Sequence, residues 1–192
     1  IVACGTSLHA GRVASNWLSA IAQVPSQMDY GSEYKYKNPY IDKNTLLVTI
    51  SQSGETADTL SALRHAKDQG YLGSLTISNV PTSSIVRESD FVLLTNAGPE
   101  IGVASTKAFT TQLTALMLLT MSIAKAKGIN PKLRSRLTAA LRSLPEIISK
   151  SLELKEELMK IAPNIAKKDN ALFLGRGMFY PIAKEGALKL KE

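Results

Sequence analysis

Ser51-Gln52-Ser53-Gly54-Glu55-Thr56 joins two stretches of different character. Before it runs Thr45-Leu46-Leu47-Val48-Thr49-Ile50, which is short, apolar and β-branched, the pattern of a buried strand. After it, Ala57 to Gln69 carries Leu60, Leu63 and Ala66 at helical spacing. The unit is strand, turn, helix. A helix N-terminus leaves backbone N–H groups unpaired and carries about half a positive charge, so it favours an anion, and Gly54 lets the backbone come close to it. The hydroxyls of Ser51, Ser53 and Thr56 and the amide of Gln52 add further donors. The turn has no Lys after its Gly, as a nucleoside-triphosphate loop needs, and no Gly-x-Gly-x-x-Gly, as a dinucleotide loop needs. A phosphorylated metabolite fits better than a nucleotide. On spacing alone, the same residues also serve as an N-cap with turn residues around it.

Outward from this loop the same unit recurs. Ile1-Val2-Ala3 reads as the end of a strand, Cys4-Gly5-Thr6-Ser7 as a polar turn, and Ala10 to Ala22 as a helix carrying Val13, Trp17, Leu18 and Ile21. Pro25 to Tyr30 is a second strand, followed by a turn over Gly31 to Tyr36. Ser74 to Ser78 is a fourth strand, Ser83 to Ser89 a short helix and Phe91 to Leu94 a fifth strand. Strands alternating with helices imply an α/β fold with a parallel sheet and right-handed crossovers. Both polar turns then converge on the carboxyl edge of the strands, where open α/β sheets bind ligands. The long polar loop Asn96 to Lys107 reaches the same edge and ends in Ser105 and Thr106, which can cap the next helix or hold a ligand. His9 reads as a cap or surface residue, Cys4 as a small buried residue and Trp17 as core.

Ala108 to Ala124 is uncharged, but it holds several Thr and is shorter than the roughly 20 predominantly apolar residues a membrane span requires. It is apolar nearly all round, so it reads as a buried or subunit-interface helix. Gly128-Ile129-Asn130-Pro131 stops the chain. Leu133, Leu137, Leu141 and Leu144 form one stripe and, after Pro145, Ile148, Leu152 and Leu158 continue it, which gives two helices ending near Ala162-Pro163. Then Ala171 to Leu174, Gly175-Arg176-Gly177 and a helical run from Tyr180 to Glu192 repeat the head of the chain as strand, turn and helix. The expected organisation is one domain over 1–128, then connecting helices and the opening of a second copy over 129–192. Ile1 has no Met before it, and the chain reads as a piece of a longer one.

The 192 residues are 44% apolar, enough for one good core. The net charge is +7, yet aromatics make up only 6%, Cys/His finger spacing is missing, and the basic residues interleave with Leu as on solvated helix faces. Nucleic acid is therefore not an expected partner. The single cysteine cannot form an intramolecular disulfide and suits a reducing cytoplasm. Two His and one Cys do not make a structural zinc site.

Taken together, Cys4-Gly5-Thr6-Ser7, Ser51 to Thr59, Glu100 to Ala108, Leu174-Gly175-Arg176-Gly177 and Glu185 to Glu192 resemble the sugar isomerase (SIS) domains of the glucosamine-6-phosphate synthase family, the glutamine-dependent fructose-6-phosphate aminotransferases. The resemblance runs the whole chain. It implies a flavodoxin-like three-layer sandwich with a five-stranded parallel sheet, two such domains in tandem, a homodimer in the cytoplasm and a glutaminase domain in cis. It also implies the ligand: Ser51, Gln52, Ser53 and Thr56 would hold the phosphate of fructose 6-phosphate or glucosamine 6-phosphate, with Thr6, Ser7, Val103 and Ser105 lining the sugar. Glu192 matches the family's general base, which moves a proton between C1 and C2, and Lys189 lies one turn away on the same face. Neither metal nor organic cofactor is implied. The family's ring-opening histidine and C-terminal lysine would lie beyond Glu192, so this piece is expected to bind the sugar phosphate without making glucosamine 6-phosphate. Two other readings fit the loop: a non-catalytic SIS module that senses a phosphosugar for a regulator, and a SIS isomerase for another phosphosugar.

Overall fold

A computed structural model describes residues 1–102 and 105–192. Five parallel strands, β1 (Val2–Ala3), β2 (Asp29–Tyr30), β3 (Leu46–Ser51), β4 (Gly73–Ser78) and β5 (Phe91–Leu94), form one sheet in the order β2-β1-β3-β4-β5. Between and after them come α1 (Gly5–Ala22), α2 (Gly31–Tyr34), α3 (Ala57–Ala66), α4 (Ser84–Glu88) and α5 (Lys107–Ala126). The expected α/β sandwich is the observed one.

Successive strand residues point to opposite faces, and the two cores follow that alternation. Ala3, Val48, Ile50 and Ile77 face α1 and α5, meeting Leu8, Ala14 and Leu116, with Trp17 packed at the margin. Val2 and Leu47 face the other way, against Tyr34 of α2, Leu63 of α3 and Ile85 of α4. Each large aliphatic side chain removed from water here contributes about 1.5–3 kcal/mol. Two threonines inside the sheet satisfy each other, Thr49 Oγ1 donating to Thr76 Oγ1 at 3.1 Å.

Some elements differ from expectation. α1 begins at Gly5 rather than near Ala10, because Gly5 adopts a positive φ of 50° and turns the chain from strand straight into helix. Thr6 and Ser7 therefore stand inside its first turn. The Gly31 turn is a short helix. Pro145 does not divide the next helix: α6 runs unbroken over Pro131–Leu152, and the chain breaks after it, before α7 (Lys155–Ile165). Both prolines lie within exposed helices, where the lost hydrogen bond can be made to water. Ala171 to Leu174 is not a strand. A strand exists only by pairing, and here Leu172 and Leu174 are each 82% exposed, with no neighbouring strand among the described residues. A 3-10 turn at Gly177–Phe179 then leads into α8 (Tyr180–Lys191), which packs back on α1.

The order of the strands fixes the site. From β1 the chain moves outward to β2, whereas from β3 it moves the opposite way to β4 and β5. The connections diverge between β1 and β3, whose ends are in register with Ala3 opposite Ile50, and the carboxyl edge at such a point is where open α/β sheets bind ligands.

Candidate functional site

Two polar turns stand at that edge. The first is Ser51 to Thr56. Ser51 Oγ accepts from the Gly54 N–H at 3.0 Å and shares a hydrogen bond with Thr56 Oγ1 at 3.0 Å. Ser53 Oγ accepts from the Glu55 N–H at 3.2 Å. Gly54 takes a φ of 68° and presses its α-carbon against Ser83. The loop is tied to the segment after β4 by three more bonds: Asn79 N–H to Gln52 O at 3.1 Å, Ile85 N–H to Gly54 O at 3.1 Å, and Ser84 N–H to the Glu55 carboxylate at 2.7 Å. That last bond is the main reason the Glu55 carboxyl is held below the ordinary glutamate value. Thr56 occupies the N-cap position of α3, yet its side chain caps nothing there. Its hydroxyl turns to Ser51 instead, which leaves the opening N–H groups of α3 without a side-chain acceptor.

The second turn opens α1. Cys4 stands at its N-cap, again without a side-chain cap bond, and accepts from Thr59 Oγ1 of α3 at 3.8 Å. Thr6 Oγ1 donates to Glu185 Oε1 of α8 at 2.9 Å, and His9 Nδ1 lies 2.8 Å from Glu185 Oε2. His9 is 8% and Glu185 4% exposed, so His9 is a buried partner rather than a cap or surface residue. Lys189, one turn on, brings its Nζ within 3.4 Å of Glu185 Oε1 and 3.2 Å of Glu192 Oε2. Burial by itself would raise the Glu185 carboxyl, but the hydrogen bonds from His9 and Thr6 and the Lys189 ammonium outweigh it and hold the group below its ordinary value. An ionised carboxylate only accepts, so the His9 Nδ1 facing it carries the proton. Ser7 Oγ accepts from Gln112 Nε2 of α5 at 3.0 Å.

Of the residues expected from sequence, Ser51, Ser53 and Thr56 form one hydrogen-bonded loop, while Thr6, Lys189 and Glu192 form a second group joined through Glu185. Gln52 joins the loop to Asn79, just after β4, through its backbone carbonyl. Among the described residues no hydrogen bond links the two groups; they share one edge through the β1–β3 pairing. Val103 lies outside the described residues. Ser105 is half-buried, and neither it nor Thr106 caps α5 through its side chain; the Glu100 carboxylate does so, accepting from the Ala108 N–H at 3.0 Å. Sequence reasoning missed His9, Glu185 and Gln112. One signal was present, since residues 185, 189 and 192 are four and three apart and share a helix face. Among the described residues no cluster of three or more His, Cys, Asp or Glu is placed to hold a metal, and no helix is long and apolar enough to cross a membrane.

The model of one protein family, described as SIS domain, matches residues 1–122. The chain belongs to the SIS domain family. Its SIS domain is similar over the full chain to the glutamine–fructose-6-phosphate aminotransferase (isomerizing) of Idiomarina loihiensis, at 56% identity, and to that of Escherichia coli, at 50%. In each case the alignment covers 100% of this chain and 32% of the relative, so the chain spans about a third of the relatives' length. Among solved structures, the C-terminal domain of glucosamine-fructose-6-phosphate aminotransferase from Francisella tularensis superposes with a TM-score of 0.97 at 49% identity, over all of this chain and 54% of that one.

Proposed function

We propose that the β1–β3 edge of this SIS domain binds a sugar phosphate, and that the chain is part of the isomerase half of an enzyme making glucosamine 6-phosphate from fructose 6-phosphate and glutamine-derived ammonia. The observation that carries the reading is the Ser51 to Thr56 loop, whose Thr56 hydroxyl turns from α3 towards Ser51 and leaves an uncapped helix N-terminus beside three hydroxyls. A doubly charged phosphate is the group such a site accepts. The names of the relatives support the substrate.

In this reading Ser51, Gln52, Ser53 and Thr56 hold the phosphate, and Thr6, Ser7, Ser105 and Val103 border the sugar. The two carboxylates of α8 then divide the work. Glu185 is buried and committed to Thr6, His9 and Lys189, so it anchors. Glu192 is exposed and, among the described residues, its carboxylate is held by Lys189 alone, so it is the one able to take a proton from the sugar and return it to the neighbouring carbon. The Lys189 ammonium between them would stabilise negative charge developing on the sugar oxygens. Residues 1–128 form the domain and 129–192 lead into a second copy. The whole protein would act as a cytoplasmic homodimer carrying a glutaminase domain in cis.

Calorimetric titration with fructose 6-phosphate, against fructose and inorganic phosphate, tests the site. The Ser53→Ala, Thr56→Ala double variant loses two charge-assisted hydrogen bonds, roughly 3 kcal/mol, and should bind about a hundredfold more weakly. Equal affinity in the variant, or equal affinity for unphosphorylated fructose, would refute the assignment.

A further inference from the structure

Gln112 lies in the second turn of α5, where that helix packs along α1. It is 1% exposed, and its neighbours on the buried face are Ala108, Ala115 and Leu116. Its Nε2 donates to Ser7 Oγ at 3.0 Å, and its Oε1 has no hydrogen-bond partner among the described residues. A buried amide that is only half paired costs stability, because the unpaired oxygen has given up water and gained nothing. A leucine or methionine of similar length would fill the same slot without that penalty. The amide is therefore not explained by packing, and its one bond points to Ser7.

Ser7 is the third residue of α1 and is itself buried, in the helix that follows β1, which pairs with β3. A hydroxyl carries one proton and two lone pairs. The Gln112 N–H occupies a lone pair, so the Ser7 proton must leave in another direction, and among the described residues no side chain or carbonyl accepts it. Without the Gln112 donor, the serine proton would be free to turn back towards α5. With it, Ser7 is set as a donor at a helix N-terminus, where the opening N–H groups already favour negative charge.

We propose that Gln112 is a positioning residue, fixing the Ser7 hydroxyl as a hydrogen-bond donor to a sugar oxygen of a bound sugar phosphate. This rests on the sugar-phosphate reading above. Gln112 never touches the ligand; it acts through Ser7, at the expense of an unsatisfied oxygen in the core.

The two effects separate in one set of variants. Gln112→Leu should unfold at the same or a higher temperature than the unaltered chain, yet bind fructose 6-phosphate about fivefold more weakly with its affinity for inorganic phosphate unchanged, the loss expected for one hydrogen bond to a neutral group. Ser7→Ala should weaken binding at least as much. The Ser7→Ala, Gln112→Leu pair should bind no worse than Ser7→Ala alone, because a residue acting through Ser7 has nothing to act on once the hydroxyl is gone. Gln112→Met serves if the branched side chain is not accommodated. Undiminished affinity in a folded Gln112→Leu or Gln112→Met overturns the inference while leaving the phosphate loop standing. So does a double variant whose loss is the product of the two single losses. Absence of phosphosugar binding by the unaltered chain overturns the sugar-phosphate reading and this inference with it.

Discussion

Replacing Gly54 by alanine tests whether the Ser51 to Thr56 loop is held in shape by its contact with the segment after β4. Gly54 has a φ of 68°, and a methyl group there would overlap Ser83 Oγ while lying 2.5 Å from Ser83 Cβ and 2.9 Å from Ser78 Oγ. A non-glycine residue in the left-handed region costs roughly 1–2 kcal/mol. Forcing a methyl group into a packed contact costs roughly 1–3 kcal/mol. Together they set a loss of roughly 2–5 kcal/mol, a large part of a small domain's stability. Urea unfolding followed by the fluorescence of Trp17, the one tryptophan, would measure it. Ser83→Gly in the Gly54→Ala background removes the overlap with Ser83 and leaves the dihedral strain and the Ser78 Oγ contact, so it should restore most of the roughly 1–3 kcal/mol of packing cost. By itself it gives up the Ser83 Oγ bond to Val80 O at 2.8 Å, and the sign of its effect should thus reverse between the two backgrounds. A Gly54→Ala chain within 0.5 kcal/mol of the parent, or a double variant no more stable than Gly54→Ala, would refute the account of the loop.

The Glu185 carboxyl is held below its ordinary value of 4.5, so its contribution to seating α8 is complete above that pH and is lost as the pH falls through the lower folded value. Amide NMR shifts of α8 recorded on acidification should show that transition, and Glu185→Gln should lack it; identical profiles would show that Glu185 does not seat the helix. Pro145 lies inside α6 and is exposed, so Pro145→Ala should strengthen the helix locally by up to roughly 3 kcal/mol, read as slower hydrogen exchange around Leu141, with no change in phosphosugar affinity.

The strand, turn and helix around Ser51 could be read directly because the residues that make the loop are consecutive and the hydrophobic period changes on either side of it. The sheet followed from the alternation of such units. What could not be read was held by contacts far apart in the chain. His9 meets Glu185 176 positions away and Ser7 meets Gln112 105 positions away, and neither pair leaves a local pattern. His9 near a helix start gave no sign that it faces a carboxylate rather than water. The two misplaced features failed for a different reason. Ala171 to Leu174 has strand composition, but composition does not supply the neighbouring strand that pairing needs. Pro145 has the chemistry of a helix breaker, but an exposed helix can carry proline because water meets the carbonyl left without a donor.

Between α5 and α8 the chain leaves the sheet and comes back. α6 and α7 bury no side chain, yet they deliver Glu185 to Thr6 and His9. A helical spacer keeps its far end within reach, so the seat of α8 is refilled from a high local concentration and does not depend on strong contacts alone. The part of the edge on the sheet and the part on α8 are therefore joined by side chains, Thr6 and His9 to Glu185, and not by a shared strand. In the function proposed above, a ligand held by its phosphate at one part and by its carbon chain at the other would clasp the two together.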